Sequence, residues 1–307
     1  MELEWVQKLR SLPNASYLGD DAAVVGSALL TTDMLTEGVD FLLNEVPPEW
    51  IGRKALAVNL SDIAAMGGVP TGFLVAAALP HKIGNTVSGG NLPLLQFAER
   101  IYAGMTPLIE KYNLTLFGGD TNTWDGGLVI SITMLGKVLP FGVFRRSGGQ
   151  ADDAILTTGQ LGGSILHKQF CFEPRINEAL YLNEHCTVHS AMDISDGLAL
   201  DLHRLAAESG LGAVLDEEKI PITDDAFTLS KRTGKTALEH ALSDGEDFEL
   251  LLTVPQVEAE KLLAKQPLRE RFGTTLYGIG TLTADKKLRL RNAAGVVRDL
   301  PLRGFEH

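Results

Sequence analysis

Two cysteines in 307 residues, Cys171 and Cys186, leave no material for a disulfide framework, and their spacing fits no zinc motif. Reduced thiols and a cytoplasmic location are the default expectation. Long apolar runs are missing too: TGFLVAAALP stops far short of the roughly 20 residues that cross a membrane. The opening MELEWVQKLRSL is charged and has no signal-peptide core. Positive charge is scarce, with 27 Lys+Arg against 39 Asp+Glu and a formal net charge of −12. That balance speaks against non-specific nucleic-acid binding. The expectation is therefore a soluble protein with neither membrane nor nucleic acid as partner. An acidic protein that handles phosphates must import positive charge, usually as metal ions.

Several catalytic signatures are also absent. There is no G-x-x-x-x-G-K-[ST] loop, no HRD or DFG set, no HExxH and no G-x-S-x-G. TTGQLGGS is a weak candidate for a phosphate cradle, and a strand-to-helix connection is its ordinary reading. Arg146, in FRRSGG, is able to clamp a phosphate through two N–H groups, though alone it reads as a solvated linker charge.

What the chain does have is size, with 45% hydrophobic residues, enough for a large core and more than one domain. ALLTTDML reads as a strand ending at Asp33. PPEWIGRKALAVNLSDIAAMGG reads as a helix, opened by Pro47-Pro48 and stopped by Gly67-Gly68. GFLVAAAL reads as a buried strand, and Leu92–Tyr112 as a helix interrupted by Pro107. LTLFGGD reads as a strand running into a glycine turn, and GLVISITMLGKVL as another strand. PFGVFRRSGGQADD breaks the composition and suits an interdomain passage. After it come strands AILTTG, VHSAMDIS, GAVLD, ELLLTV, TLYGIGTL and KLRLR. Helices are expected from GGSILHKQF and LALDLHRLAAESG, around Thr236–Leu242 and over Gln256–Lys265. Two mixed domains of the α/β (α+β) type follow, over 1–140 and 141–307.

Aspartates cluster where elements begin and end: GDDAAVV (Asp20, Asp21), TTDML (Asp33), NLSDIAAMG (Asp62), FGGDTN (Asp120), MDISDGL (Asp193, Asp196) and SDGEDFELL (Asp244, Glu246, Asp247). Taken singly, each is a cap or a turn. Asp62 and Asp193 are different, because they lie in apolar surroundings. Asp62 falls inside its helical pattern, where it caps nothing, and a charge withdrawn from water needs a partner. Mg²⁺ takes hard oxygen ligands from one or two carboxylates together with phosphates. A scattered set of single acids suits several ions on a polyphosphate.

In order and spacing, GDDAAVV, TTDMLTEGVDF, GRKALAVNLSDIAAMGGVP, FGGDT, RRSGG, MDISDGLALDL and SDGEDFELL resemble the thiamine-monophosphate kinase family, over about Gly19 to Glu249. The resemblance implies a fold like aminoimidazole ribonucleotide synthetase, with an N-terminal domain that pairs in a homodimer. It implies ATP-dependent phosphorylation of thiamine monophosphate to thiamine diphosphate, with ATP as co-substrate and Mg²⁺. By position it makes Asp21, Thr31, Thr32, Asp33, Asp62, Asp120, Asp193 and Asp196 metal ligands, with Asp62, Asp120 and Asp196 central to catalysis. Tyr102, Gly119, Asp120, Arg146 and Ser195 match nucleotide-contacting positions, and Glu246 a substrate-contacting one.

Two positions depart from the family pattern. Asp40 stands in GVDF where a substrate-contacting histidine is usual, and Leu302 in PLRGF where an aromatic is usual. Both belong to the acceptor end. The mechanism expected is direct in-line transfer, since nothing resembles a dedicated nucleophile and an acceptor phosphate is already anionic. Metal ions bridging two anions would neutralise charge and fix the line of attack. The alternatives are another superfamily enzyme, or a metal- and nucleotide-binding protein without turnover.

Overall fold

A helix buried over most of its surface needs small and apolar residues on most sides, and the stretch from Pro48 supplies them over Ala55 to Met66, broken only by Asn59, Ser61 and Asp62. The computed structural model describes residues 2–13, 15, 17–83 and 92–305. Its N-terminal unit contains α1 (Glu2–Arg10), β1 (Ala23–Val25), β2 (Ala28–Thr36), α2 (Pro48–Ala65), β3 (Val69–Pro80), α3 (Leu94–Tyr112), β4 (Thr115–Trp124) and β5 (Val129–Lys137). The sheet order is β1-β2-β5-β3-β4, with only β3 and β4 parallel. The second unit contains β6 (Ala154–Thr158), α4 (Lys168–Cys171), α5 (Ile176–His185), β7 (Ser190–Asp193), α6 (Leu198–Glu208), β8 (Gly212–Asp216) and α7 (Asp224–Thr233). It continues with α8 (Ala237–Ser243), β9 (Leu250–Val254), α9 (Gln256–Lys265), α10 (Pro267–Phe272), β10 (Leu276–Thr283), β11 (Leu288–Arg291) and β12 (Val297–Asp299). Its seven strands run in the order β12-β11-β8-β10-β6-β9-β7.

Helix α2 is the axle of the molecule. Proline at N1 presets its first turn, and fourteen of its 18 residues are buried. It packs on the sheet and on α3. At the α2–α3 crossing a Cβ on Gly52 would lie 1.9 Å from the Ile101 carbonyl, and one on Gly104 would lie 1.8 Å from that of Glu49. The two backbones approach closely only because both positions are glycine. Its far side meets the second unit, and one hydrophobic cluster runs unbroken from Leu29 and Ile63 through Phe144 to Ala191 and Leu250. The two units are thus held in fixed register, with a cleft between them. No described helix is long and apolar enough to cross a membrane.

Several local expectations change. Strand β2 runs on from Asp33 to Thr36. Strand β3 starts at Val69 and is only partly buried, because Leu74 and Ala76 face outward. The glycines of FGGD make no turn: β4 passes straight through them to Trp124, absorbing a register shift beside Phe73 and Leu74. GGSILHKQF gives a 3-10 turn at Ser164–Leu166 and the single turn of α4. Helices α5, α7 and α10 and the short β12 were not expected. In α5 and α7 the apolar stripe is thin, and in α10 six residues are too few to show a period.

Candidate active site

The cleft between the two units encloses about 1150 Å³. Strand β2 brings Thr31 and Asp33 to it, the last turn of α2 brings Asp62, and the β7 end with the turn after it brings Asp193, Ser195 and Asp196. Asp21 arrives on the loop before β1. One oxygen each of Asp21, Asp62 and Asp193 lies within 4.8 Å of the others. The Thr31 hydroxyl donates to Asp62 and lies 3.1 Å from the Asp21 carbonyl. The Ser61 hydroxyl donates to Asp193, which is 2% exposed. Asp33 accepts nothing through its buried Oδ2.

The electrostatics of this group are unbalanced. Four carboxylates, on Asp21, Asp33, Asp62 and Asp193, share one guanidinium, that of Arg146, which donates to both oxygens of Asp21 at 2.7 and 3.3 Å. Burial, then the charges of Asp33, Asp193 and Asp21, drives the Asp62 carboxyl well above the usual range. Burial and the Asp21 charge do the same to Asp193. Asp33 is pushed up to about 6 by burial, then by Asp21, Asp196 and Asp40. Such a set is poorly stable as bare anions. Three clustered carboxylates, a threonine hydroxyl and an unpartnered buried oxygen make the hard-oxygen donor set that Mg²⁺ takes, so these residues fit the ion.

A second tier fixes this loop. Gly197 sits at φ +110°, where a Cβ would press on Ser243 at 3.1 Å, and the turn at Ser195–Gly197 needs that freedom. The Asp201 carboxylate accepts from the Asp196 and Gly197 N–H groups at 2.9 and 3.1 Å. Arg204 ties Asp196 to Asp201. Beside this loop, with its N–H donating to the Ser195 carbonyl, Glu246 carries φ +54° and pairs with Lys54 of α2. Asp40 accepts from the Thr36 N–H at 2.6 Å.

The predicted residues divide cleanly. Asp21, Thr31, Thr32, Asp33, Asp40, Asp62, Arg146, Asp193, Ser195, Asp196 and Glu246 border the cleft. The Thr32 hydroxyl is turned away, however, donating to the Ile132 carbonyl at 3.1 Å. Tyr102, Gly119, Asp120 and Leu302 do not border it. Tyr102 is half-exposed on α3, and Leu302 is exposed near the C-terminal end while Phe305 faces the cleft instead. Asp120 lies on β4, in line with Ala76, Ser131 and Met34. That row points to the opposite face of the sheet from the Asp33 row, three strand spacings or roughly 14 Å along it. Sequence reading passed over Lys54, Asp201 and Arg204. A signal for Lys54 was available: it is a charge in the same apolar helix that singled out Asp62.

Comparison with known proteins bears on this site. Residues 19–138 match the family model described as AIR synthase related protein, N-terminal domain, and residues 150–292 match its C-terminal counterpart. The thiamine-monophosphate kinase of Rhodopirellula baltica is 41% identical over 98% of this chain and 94% of its own length. The chain belongs to the thiamine-monophosphate kinase family. A second member, from Aquifex aeolicus, is 30% identical over 83% of this chain and 86% of its own. A solved structure described as AaThiL complexed with AMPPCP and TMP is 26% identical, covers 100% of this chain and 96% of its own, and has a TM-score of 0.80. The two mixed domains expected of the fold are those of this family.

Proposed function

We propose that this chain transfers the γ-phosphoryl group of ATP to thiamine monophosphate, giving thiamine diphosphate and ADP. The carrying observation is the buried acid group of the cleft, four carboxylates to one guanidinium, in a chain of this family. A solved relative that holds AMPPCP and TMP together supports both substrates.

Asp21, Thr31, Asp33, Asp62, Asp193 and Asp196 are the residues of this chain that would hold Mg²⁺, while the Thr32 hydroxyl faces away from them. Bound there, the ion would supply positive charge between two mutually repelling phosphates. Asp62 contributes rigidity, because it projects from the last turn of a helix packed on all sides. The acceptor phosphate oxygen forms the new P–O bond as the bond to the β–γ bridging oxygen breaks, and ADP leaves with that electron pair. The acceptor oxygen is anionic near neutral pH, so no base is required. Arg146 and Ser195 face the nucleotide, and Asp40 and Glu246 the acceptor. Leu302 does not border the cleft. What remains for the protein is positioning and fixed electrostatics.

A homodimer would account for the placement of Asp120. Strand β4 is an edge strand with all ten residues exposed, including Leu116 42%, Phe117 53% and Trp124 46%. Exposed apolar edges of this kind are covered in working proteins. A second copy packed on this face would carry Tyr102, Gly119 and Asp120 toward the partner's cleft, which is how Asp120 would join Asp62 and Asp196 in catalysis. We assign the boundary between the domains to 140/141, in the passage between β5 and β6, and the protein to the cytoplasm on its two free thiols.

The test is ADP production by purified protein with ATP, Mg²⁺ and a panel of acceptors. ADP should form with thiamine monophosphate and not with thiamine or hydroxymethylpyrimidine phosphate. ATP protected without turnover would sink the kinase. Mixing inactive Asp62→Asn with inactive Asp120→Asn should restore activity if Asp120 serves the partner's cleft.

A further inference from the structure

Among the described residues, Lys54 is the only buried lysine, with 0% of its surface exposed. It does not border the cleft. An ammonium has three N–H donors, and three acceptors meet this one. They are the Asp40 carbonyl at 3.1 Å, the Gln169 side-chain oxygen at 2.7 Å and the Glu246 carboxylate. The Phe170 ring closes the remaining side, 5.1 Å from the nitrogen. A buried ammonium is tolerated only when satisfied this fully.

The three acceptors belong to different segments: the β2–α2 connection, α4, and the loop between α8 and β9. Glu246 lies on the last of these, where Gly245, Glu246 and Phe248 all have positive φ, at 74°, 54° and 50°. Non-glycine residues hold that conformation only where the surroundings impose it. The backbone clamps all come from the C-terminal unit. The Glu246 N–H donates to Ser195, the Phe248 N–H donates to Ile194, and the Asp247 carboxylate accepts from the Gly162 N–H and the Ser164 hydroxyl. The side chain of Glu246, however, is held by the N-terminal unit, through Lys54. About a third of that side chain, 32%, stays open to the cleft. Asp40 borders the same cleft, near enough for its charge to act on Glu246.

Resting on the kinase reading above, we propose that Lys54 is a positioning residue for the acceptor. It touches no substrate, and it fixes Glu246 and the Asp40 loop as one carboxylate wall facing the cationic ring of the acceptor. The backbone of the loop stays clamped without it, so only the Glu246 side chain and the Asp40 loop should loosen.

The experiment is steady-state kinetics on the full chain with ATP and thiamine monophosphate. Lys54→Met removes the ammonium and leaves Glu246 free to hydrate. KM for thiamine monophosphate should rise about tenfold or more, and KM for ATP should stay within about twofold. Lys54 acts through Glu246, so Lys54→Met with Glu246→Gln should be no worse for acceptor KM than Glu246→Gln alone. Gln169→Leu, which removes one neutral partner of the ammonium, should move acceptor KM the same way by less, and serves if Lys54→Met fails to fold. An unchanged acceptor KM, or equal rises for both substrates, would overturn the assignment. Wild-type protein that makes no ADP in response to thiamine monophosphate would instead overturn the kinase reading beneath it.

Discussion

Glu249 and Asp62 are both carboxylates withdrawn from water, and their surroundings differ in sign. Around Glu249, Arg175 donates to both oxygens at 2.7 and 2.8 Å, Lys168 donates at 2.9 Å and the Thr158 hydroxyl at 2.7 Å. Burial pushes its carboxyl up, yet Lys168 and Arg175 pull it below the usual range. Asp62 has one hydroxyl, that of Thr31, and three acidic neighbours, all of which add to the effect of burial. Asp247 stands between the two cases, raised to about 6 by burial against the pull of Lys168, Ser164 and Gly162. One cluster is neutralised from within and holds the C-terminal domain together. The other is left short of positive charge where two domains meet, which is where an outside cation is of use.

The two clusters should therefore fail differently. Glu249→Gln leaves Arg175 and Lys168 only their longer carboxylate contacts, to Glu178 at 3.4 Å and Asp247 at 3.6 Å, and should destabilise the fold by about 3 kcal/mol, read as a lower urea midpoint. Turnover per folded molecule should survive. Asp62→Asn should do the reverse. Turnover should drop by about two to three orders of magnitude, the scale for losing one preorganised charge contact. Metal-free stability should hold or rise, because a buried repulsion is relieved. A variant of Asp62 that melts early and turns over normally would erase the distinction.

Titration offers the next, smaller test. The Asp33 carboxyl, at about 6 in the folded chain, sits above its unfolded value of about 3.9. Between those values the folded chain binds more protons than the unfolded one, so metal-free stability should fall as pH rises from about 4 to above 6. Glu249 has the opposite sign: its contribution is present above its unfolded pKa and is lost as pH falls through its depressed folded value. Mg²⁺ at about a hundred times its Kd should add about 2.7 kcal/mol near pH 7.5 and flatten the acid-cluster slope. A thermal midpoint indifferent to Mg²⁺ would separate the acids from any ion.

The same contrast explains what could be read from the sequence. Asp62 and Asp193 stood out because a charge in an apolar pattern has no cheap solution, and helix α2 stood out because its prolines and glycines bracket an apolar stretch. Lys54 obeys the same logic and was passed over, since a lysine early in a helix ordinarily reaches solvent. Asp120 shows a different limit. Its motif names a ligand, but which face of the sheet it occupies depends on the pairing of β4 with β3 and on a register shift. Neither is written in the local pattern, and one residue of slip moves a side chain to the other face. The glycines beside it looked like a turn because chain reversal is their commonest use; here one lies flush against the Val75 carbonyl, 1.8 Å from where its Cβ would be. Helices α5 and α7 were obscured because each buries only one thin stripe.

The smallest effect is the most discriminating. Ser61, on α2, donates its hydroxyl to Asp193 at the end of β7, so one hydrogen bond joins the two domains beneath the acid cluster. Its worth depends on the charge of Asp193. Hydrogen bonds to neutral groups contribute about 1 kcal/mol and those to charged groups about 1.5–3. Metal-free, burial and Asp21 raise the Asp193 carboxyl and so favour its neutral form more than in an exposed aspartate. With a cation bound, the anion is favoured and the hydroxyl faces a full charge. Ser61→Ala should therefore cost about 1 kcal/mol without Mg²⁺ and more with it, measured as paired unfolding curves at one pH. Equal losses would mean that Asp193 carries the same charge in both states, and that the acid cluster is not short of a cation.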